Sequence, residues 1–322
     1  MNETPAPHSS DGTTTTAVGT TGSDADPRAR EWKPAAAVAA VLLMWASAFV
    51  AIRGIGTSFS PGPLALGRML VGGLVLAGFA VRARRPLPRG RALAMVAAYG
   101  LLWFAGYNVL LNAAERHLDA GTAAMLVNVA PILVAVGAGV FLREGFPRQL
   151  LAGIGIAFIG VVLIAFGGSG GHSDGFGILL GLVTAVLYAA GVLTQKVALK
   201  TVDALTATWV GCAIGALALL GWLPALIREW SAAGTTPVLS LIYLGVFPTA
   251  IAFSLWAYAL QRSDAGALTS STLAVPAIVV LASWLVLGEV PTIWAIVGGA
   301  VALTGVAIGR LRRRTRSAAR AG

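Results

Sequence analysis

The chain has 322 residues, of which 57% are hydrophobic and only 11% are charged, against roughly 45–50% and 25% in soluble globular proteins. This composition predicts an integral membrane protein. The net charge of +10 does not indicate a nucleic-acid partner, because the arginines lie in short loops between apolar runs. The single cysteine, Cys212, excludes a disulfide framework, and the three histidines lie outside the apolar runs. We therefore predict neither a metal site nor a cofactor.

Residues 1–33 are rich in Thr, Ser, Gly and Asp, a composition that cannot bury enough apolar surface to order the chain. They are predicted to form a disordered cytoplasmic tail. The alternative is a signal peptide, since an apolar stretch here ends in Ala46-Ser47-Ala48. That alternative is disfavoured because the leader is long and partly acidic, and because the repeat described below requires this segment as a helix.

Ten apolar runs follow, each long enough to cross about 30 Å of hydrocarbon as a helix of ~20 residues. The predicted spans are 34–52, 63–81, 92–113, 120–142, 149–167, 176–195, 204–227, 237–260, 265–287 and 292–310. Residues 312–322 form a basic tail. The fold class is therefore an all-α membrane protein with ten transmembrane helices.

The basic residues give this bundle an orientation. If both termini are cytoplasmic, all but four of the 23 Lys and Arg residues fall on the cytoplasmic side. The exceptions are Arg53, Arg116 and Arg228 outside and Arg68 within a span. The positive-inside rule therefore predicts a multi-pass protein of the inner (plasma) membrane with both ends in the cytoplasm.

The sequence repeats itself after 145 residues. Asp119-Ala120-Gly121 aligns with Asp264-Ala265-Gly266, Pro131 with Pro276, and Glu144 with Glu289. Nearer the start of each half, a shift of 143 pairs Trp45 with Tyr188. The repeat divides the chain into 34–167 and 175–311. Because each half has an odd number of spans, the second half enters the membrane from the opposite side, as in transporters with inverted repeats.

Three sequence features stand together: LLMWASAFVAIRG at 42–54, LALGRML at 64–70, and the two stretches that run from Asp-Ala-Gly through Pro to Glu. In these features the chain resembles the EamA branch of the drug/metabolite transporter superfamily, with two five-helix EamA repeats. The resemblance implies a secondary transporter or facilitator of small organic metabolites, an exporter of amino acids or toxic compounds, that works by alternating access. The second half departs from the pattern, with Tyr188 for the tryptophan and Gly211 or Cys212 near the place of Arg68.

The repeated residues suggest structural roles. Asp119 and Asp264 are predicted to cap helix starts, because a carboxylate there accepts free backbone N–H groups. Pro131 and Pro276 break a backbone hydrogen bond in mid-span and are predicted hinges beside a cavity. Glu144 and Glu289 are interpreted as solvated charges that order loops.

The resemblance places the substrate site between the halves, among helices 1, 3, 4, 6, 8 and 9. The candidate cavity residues are Trp45, Arg68, Asn108, Asn112, Asn128, Tyr188, Gln195, Trp256 and Ser271. The three asparagines are predicted to contact substrate, and the alternative for them is hydrogen bonding between helices. For Arg68, the charged residue deepest in a span, the alternative is snorkelling to the interface.

Other functions are less well supported by the sequence. There is no G-x-x-x-x-G-K motif for ATP, and no Asp, Glu or His lies deep in a span, so we predict that the chain is not an enzyme. An intramembrane enzyme and a non-transporting scaffold remain the alternatives. Small-residue pairs such as Gly211 and Gly215 favour close helix packing, within the monomer or in a homodimer.

Overall fold

In the computed structural model, residues 27–117, 123, 126–167, 175–287 and 293–311 are described, and these residues form helices and connections without a strand. Five helices are long and apolar enough to cross a membrane. A pair bent by 51°, Ala204–Ala218 with Leu220–Ala232, passes the same test together, and shorter apolar helices lie at the other four predicted positions. The all-α membrane fold is thus confirmed, while the count of ten spans stays a prediction.

The helical elements are labelled in chain order. They are α1 (Pro27–Ile55), α2 (Pro61–Ala83), α3 (Gly90–His117), α4 (Ala130–Phe141), α5 (Arg148–Gly167), α6 (Gly175–Ala198), α7 (Ala204–Ala218), α8 (Thr235–Arg262), α9 (Ala265–Leu287, in three segments) and α10 (Ile293–Leu311). After its bend α7 continues as Leu220–Trp222 and Leu223–Ala232, and α9 comprises Ala265–Thr269, the 3₁₀ segment Ser270–Ala274 and Val275–Leu287. Since α1 begins at Pro27 rather than at residue 34, the end of the predicted tail is helical, with proline at a favoured first position.

The second helix, α2, shows how the sequence sets these elements. Pro61 lies at the helix start, where its missing N–H is not needed, and Arg84 ends the helix in the left-handed region at φ 49°. One face is buried, whereas Leu74 is 74% exposed and Phe79 is 57% exposed. Large apolar side chains that point away from the core in this way are those expected to contact lipid.

Two π-helical segments reveal the repeat in three dimensions. Gly100–Tyr107 interrupts α3, and Gly245–Ile251 interrupts α8 at the equivalent position, 145 residues later. The first segment packs against α7 and the second against α2. The third helix of each half therefore packs on the second helix of the other half.

The fifth helix of each half also meets its counterpart. A side chain at Gly160 of α5 would overlap the backbone of Gly298 and Ala302 in α10, and one at Gly305 would overlap that of Gly153 and Ala157 in α5. These two contacts are equivalent under the shift of 145. Such reciprocal contact is what a two-fold axis produces, and the pseudo-two-fold axis therefore passes between α5 and α10.

Candidate functional site

A cavity of about 660 Å³, counted with the space at its mouth, lies between the two halves. The first half contributes Trp45, Ala48, Phe49, Ile52, Arg68, Trp103, Tyr107, Asn108, Leu111, Val127, Asn128 and Pro131, and the second half contributes Tyr188, Phe253, Thr272 and Val275. The cavity is thus shared between the repeats, as the sequence predicts for a substrate site.

Aromatic rings form one wall of this cavity. The Trp103 ring centroid lies 5.0 Å from that of Tyr188, 5.1 Å from that of Phe253 and 6.1 Å from that of Trp45. The Trp45 indole N–H donates to the Pro248 carbonyl at 3.2 Å, which lies in the π segment of α8. The wall is therefore apolar, and it is held in place across the interface between the halves.

Asn108 connects the cavity to the π segment of α3. Its side-chain nitrogen donates to the carbonyls of Trp103 at 2.9 Å and Phe104 at 3.2 Å. These carbonyls belong to the widened helical turns, where the ordinary α-helical acceptor pattern is interrupted. The amide oxygen is then the part of this side chain that can serve a ligand. Asn112, one turn later, donates to the Pro61 carbonyl at 3.1 Å and does not line the cavity.

Arg68 is the one charged side chain on the cavity wall among the described residues. It is only 4% exposed, and its Nε and Nη1 atoms have no hydrogen-bond partner within the described structure. Tyr107, Glu115 and Cys212 are near enough to act on it electrostatically. The side chain is thus buried at the cavity wall between the halves, and in this conformation it does not extend along the lipid surface.

Three of the predicted residues lie behind the cavity wall. Gln195 is fully buried and donates its side-chain N–H to the Tyr99 hydroxyl at 2.9 Å. Trp256 is also fully buried, with its ring centroid 5.0 Å from that of Trp45. Ser271 donates to the Leu268 carbonyl, next to Thr272, which does line the cavity. A contact of these three with substrate stays a prediction.

The prolines mark departures from the α-helix. Pro131 is within the first two residues of α4, after a turn at residues 128–129. Pro276 is the second residue of Val275–Leu287, after the 3₁₀ segment Ser270–Ala274. Both breaks lie beside the cavity, because Pro131 and Val275 line it. Their use as hinges stays a prediction.

Glu144, rather than Asp264, supplies the carboxylate that caps the start of α9. Asp264 occupies the cap position, but its side chain makes no capping hydrogen bond. The backbone N–H groups of Ala265 and Gly266 instead donate to Glu144 Oε1 at 2.9 Å and Oε2 at 3.3 Å. The physical reason is the turn after α4, where Arg143 and Gly145 adopt positive φ and direct the intervening Glu144 toward α9. Asp119 and Glu289 lie outside the described residues.

Lys196, near the end of α6, forms hydrogen bonds with the other side of the connection between α8 and α9. Its ammonium group donates to the carbonyls of Leu260, at 2.6 Å, and Ser263. Glu144 and Lys196 both bond to the connection at residues 260–266. We refer to these two residues and this connection together as the clasp. It joins the end of α8 and the start of α9 to one residue from each half. The positive Lys196 lies at a helix C-terminus and the negative Glu144 at a helix N-terminus, and both arrangements are favourable for the helix dipole.

The clasp and the cavity lie toward opposite ends of the bundle. At one end, called the Lys196 end, are the clasp and the Tyr99–Gln195 hydrogen bond. At the other, the Arg116 end, Arg116 donates to the carbonyls of Gly56 and Phe59. The cavity residues Phe49, Ile52 and Leu111 lie in the parts of α1 and α3 that approach the Arg116 end. The cavity therefore lies toward the Arg116 end, whereas the clasp and the Tyr99–Gln195 hydrogen bond join the helices at the Lys196 end.

Sequence reasoning missed Trp103, Tyr107 and Phe253 on the cavity wall. Each lies in an uninterrupted apolar run, and in a membrane bundle a lipid-facing ring and a cavity-facing ring have the same neighbours in sequence. One signal was available. The aligned pair Gly100 and Gly245 marks the start of the two π segments, and Trp103 lies within the first of them.

Comparison with known proteins agrees with this geometry. The model of the EamA-like transporter family matches twice, at residues 32–166 and 175–309. The "Uncharacterized transporter YdfC" of Bacillus subtilis is 35% identical over 82% of this chain and 86% of its own length. A "Probable terminal-alkyne amino-acid exporter" of Streptantibioticus cattleyicolor is 34% identical over 87% of this chain and 93% of its own.

Two further proteins extend the comparison. A "Probable amino-acid metabolite efflux pump" of Salmonella typhimurium is 28% identical over 87% of this chain and 95% of its own length. A known crystal structure superposes with a TM-score of 0.73 over 88% of this chain and 99% of its own, at 20% identity. That structure supports the fold alone.

Proposed function

The chain belongs to the EamA-like transporter family, and from this premise we propose that it exports amino acids or related small metabolites across the inner membrane. It is a multi-pass membrane protein that moves small molecules. The finer proposal adds the substrate class, the direction, and two cytoplasmic termini. It also assigns no enzymatic step, since passage through a cavity requires no covalent chemistry.

The observation that carries the proposal is the cavity shared by the two repeats. Alternating access requires a site that one repeat can uncover by moving against the other. Under the predicted topology the Arg116 end faces outward, and the clasp closes the cytoplasmic side. The conformation described here then corresponds to the outward-facing half of the cycle.

The chemistry of the wall supports an amphipathic substrate. Trp45, Trp103 and Phe253 offer apolar ring faces, whereas Arg68 and Asn108 offer polar groups on the same cavity. Amino acids and their derivatives combine these two characters. Two of the relatives above carry names of amino-acid export or amino-acid metabolite efflux, and the proposal extends that substrate class to this chain.

Flux in proteoliposomes tests the proposal. Purified protein should exchange labelled amino acids, and Ala48→Phe should abolish this exchange because Ala48 lines the cavity and the added ring would occupy it. Leu43→Phe is the matched control, since Leu43 is on the same helix but 59% exposed. Exchange that persists in Ala48→Phe, or none in the wild type for any amino acid, would refute the proposal.

A further inference from the structure

Arg68 is a buried cation whose donors are not fully used. Removing a guanidinium from water costs several kcal/mol unless a partner compensates, and buried arginines are normally paired. Here Nε and Nη1 both lack a hydrogen-bond partner within the described structure. A protein retains such an arrangement where a ligand supplies the missing acceptor.

The surroundings leave that acceptor to come from the cavity. The electrostatic neighbours of Arg68 are Tyr107, Glu115 and Cys212, and none of them bonds Nε or Nη1. The Cys212 thiol donates instead to the Met69 carbonyl at 3.4 Å. Because Arg68 lies on the cavity wall, a solute in the cavity can approach its side chain.

The charge and the donors of the guanidinium select the ligand. A guanidinium offers its N–H donors in a planar fork that matches the two oxygens of a carboxylate. A neutral amide presents only one acceptor oxygen to the same fork. The ring faces of Trp45 and Trp103 provide the apolar surface that the remainder of such a solute would contact.

We propose that Arg68 forms the subsite for the carboxylate group of an amphipathic solute, whose apolar part lies against the aromatic wall, and that this subsite determines specificity. The inference rests on the proposed transport function and deepens it. It also accounts for the asymmetry between the halves: the region of α7 that would match Arg68 holds Gly211 and Cys212, because one solute needs one carboxylate subsite.

Binding to the purified full-length protein provides the test. The probes are L-leucine, L-norvaline and L-phenylalanine, each measured beside its carboxamide by isothermal titration. We expect at least one acid to bind about tenfold or more tightly than its amide. Arg68→Gln should weaken binding of that acid by about tenfold to a hundredfold, the range for a lost charged hydrogen bond, and should remove the preference for the acid.

Two further variants separate this role from general electrostatics. Arg68→Lys keeps the charge but not the planar fork, so it should bind the acid with intermediate affinity. Arg228→Gln removes an exposed arginine and should bind as the wild type does. In the absence of ligand, the unfolding temperature of Arg68→Gln should equal or exceed that of the wild type, because the variant removes an incompletely paired buried charge.

The inference is overturned if acids and amides bind equally, if no acid in the panel binds, or if Arg68→Gln binds the acid normally. A fall in the unfolding temperature of ligand-free Arg68→Gln would also overturn it, by assigning Arg68 a structural role. Flux distinguishes the two proposals. Transport without preference for acids leaves only the transport function standing, whereas Arg68-dependent acid binding without any flux leaves only the subsite.

Discussion

Asn108 shows how one polar side chain can meet a structural and a functional need. Its amide nitrogen donates to two carbonyls of the π segment, where the ordinary α-helical pairing is interrupted. The residue itself lines the cavity. At this residue the two alternatives derived from the sequence, hydrogen bonding within the bundle and contact with substrate, are therefore compatible.

Replacing Asn108 should accordingly reduce stability as well as flux. We expect Asn108→Ala to lower the free energy of unfolding by about 1–3 kcal/mol, the cost of leaving buried acceptors unsatisfied. Thr304→Ala is a suitable control, since its exposed hydroxyl bonds only the carbonyl one turn back. Thermal unfolding in detergent measures both variants. An unchanged unfolding temperature for Asn108→Ala would show that the π segment does not depend on this amide.

At this scale the sequence marks some polar and some aromatic residues of the cavity wall and misses others. A polar group in a membrane span requires a special environment, which is the signal at Arg68, Asn108 and Asn128, and these three line the cavity. Trp45 and Tyr188, which the repeat pairs, also line it, while contact of all five with substrate stays a prediction. Trp103 and Phe253 carry no such signal. The capping role of Glu144 was hidden because its partners, Ala265 and Gly266, are more than a hundred residues away, while Asp264 offered a local alternative.

Glycines determine how closely the helices approach each other. At Gly160 and Gly305 the partner helix lies where a side chain would begin, so α5 and α10 meet through their backbones. Gly100 makes a similar contact with the Gly211 carbonyl in α7. These contacts occur between the two halves, and the small-residue spacing at Gly211 and Gly215 therefore serves packing within this chain.

The contact on the pseudo-two-fold axis leads to a paired prediction. Gly160→Ala and Gly305→Ala should each destabilise the protein by about 1–3 kcal/mol, because a methyl group there forces two backbones apart. The two losses should be similar, since the sites are equivalent. Gly155→Ala, on the exposed face of α5 with open space around it, should be tolerated. Unequal losses at Gly160 and Gly305 would argue against the reciprocal contact.

At the scale of elements, the sequence predicted the repeat but not its irregularities. Apolar length and the matched Asp, Pro and Glu positions indicate the helical segments and their equivalence, while the count of ten spans stays a prediction. The π segments were not predicted, because the wider turns depend on contacts with α2 and α7 rather than on residue periodicity. Only Pro248 in the second segment breaks the α-helical pattern locally.

The two ends of the molecule differ in structure. The Lys196 end holds the charged hydrogen bonds of the clasp, and the cavity lies toward the Arg116 end. The predicted orientation places the first in the cytoplasm and the second outside, which follows from the distribution of basic residues. The side of the membrane from which a solute can enter the cavity therefore depends on the orientation of the chain in the membrane as well as on its conformation.

Topology can be measured with single cysteines in a Cys212→Ala background. Arg85→Cys and Arg228→Cys both replace exposed residues, at opposite ends of the bundle. In intact cells a membrane-impermeant maleimide should label Arg228→Cys and leave Arg85→Cys unlabelled until the cells are opened. Labelling of Arg85→Cys in intact cells would reverse the orientation, and with it the assignment of the outward-facing state.

Alternating access predicts that weakening the clasp changes accessibility at the two ends in opposite directions: accessibility rises at the Lys196 end and falls at the Arg116 end. Two reporters in the Cys212→Ala background can detect this. Phe49→Cys lies on the cavity wall, and Ala259→Cys lies at a fully buried position beside the clasp. The combination Glu144→Gln with Lys196→Met removes charged hydrogen bonds, each worth about 1.5–3 kcal/mol, and so biases the equilibrium toward opening at the Lys196 end.

The most direct measurement compares the thiol labelling rates of these two reporters with and without the clasp substitutions. With the clasp intact, Phe49→Cys should react and Ala259→Cys should be protected. With the clasp removed, labelling of Ala259→Cys should rise by about tenfold or more while that of Phe49→Cys falls. If both rates rise together, the clasp only holds the fold together, and if Ala259→Cys stays protected, the cavity does not open alternately to the two sides.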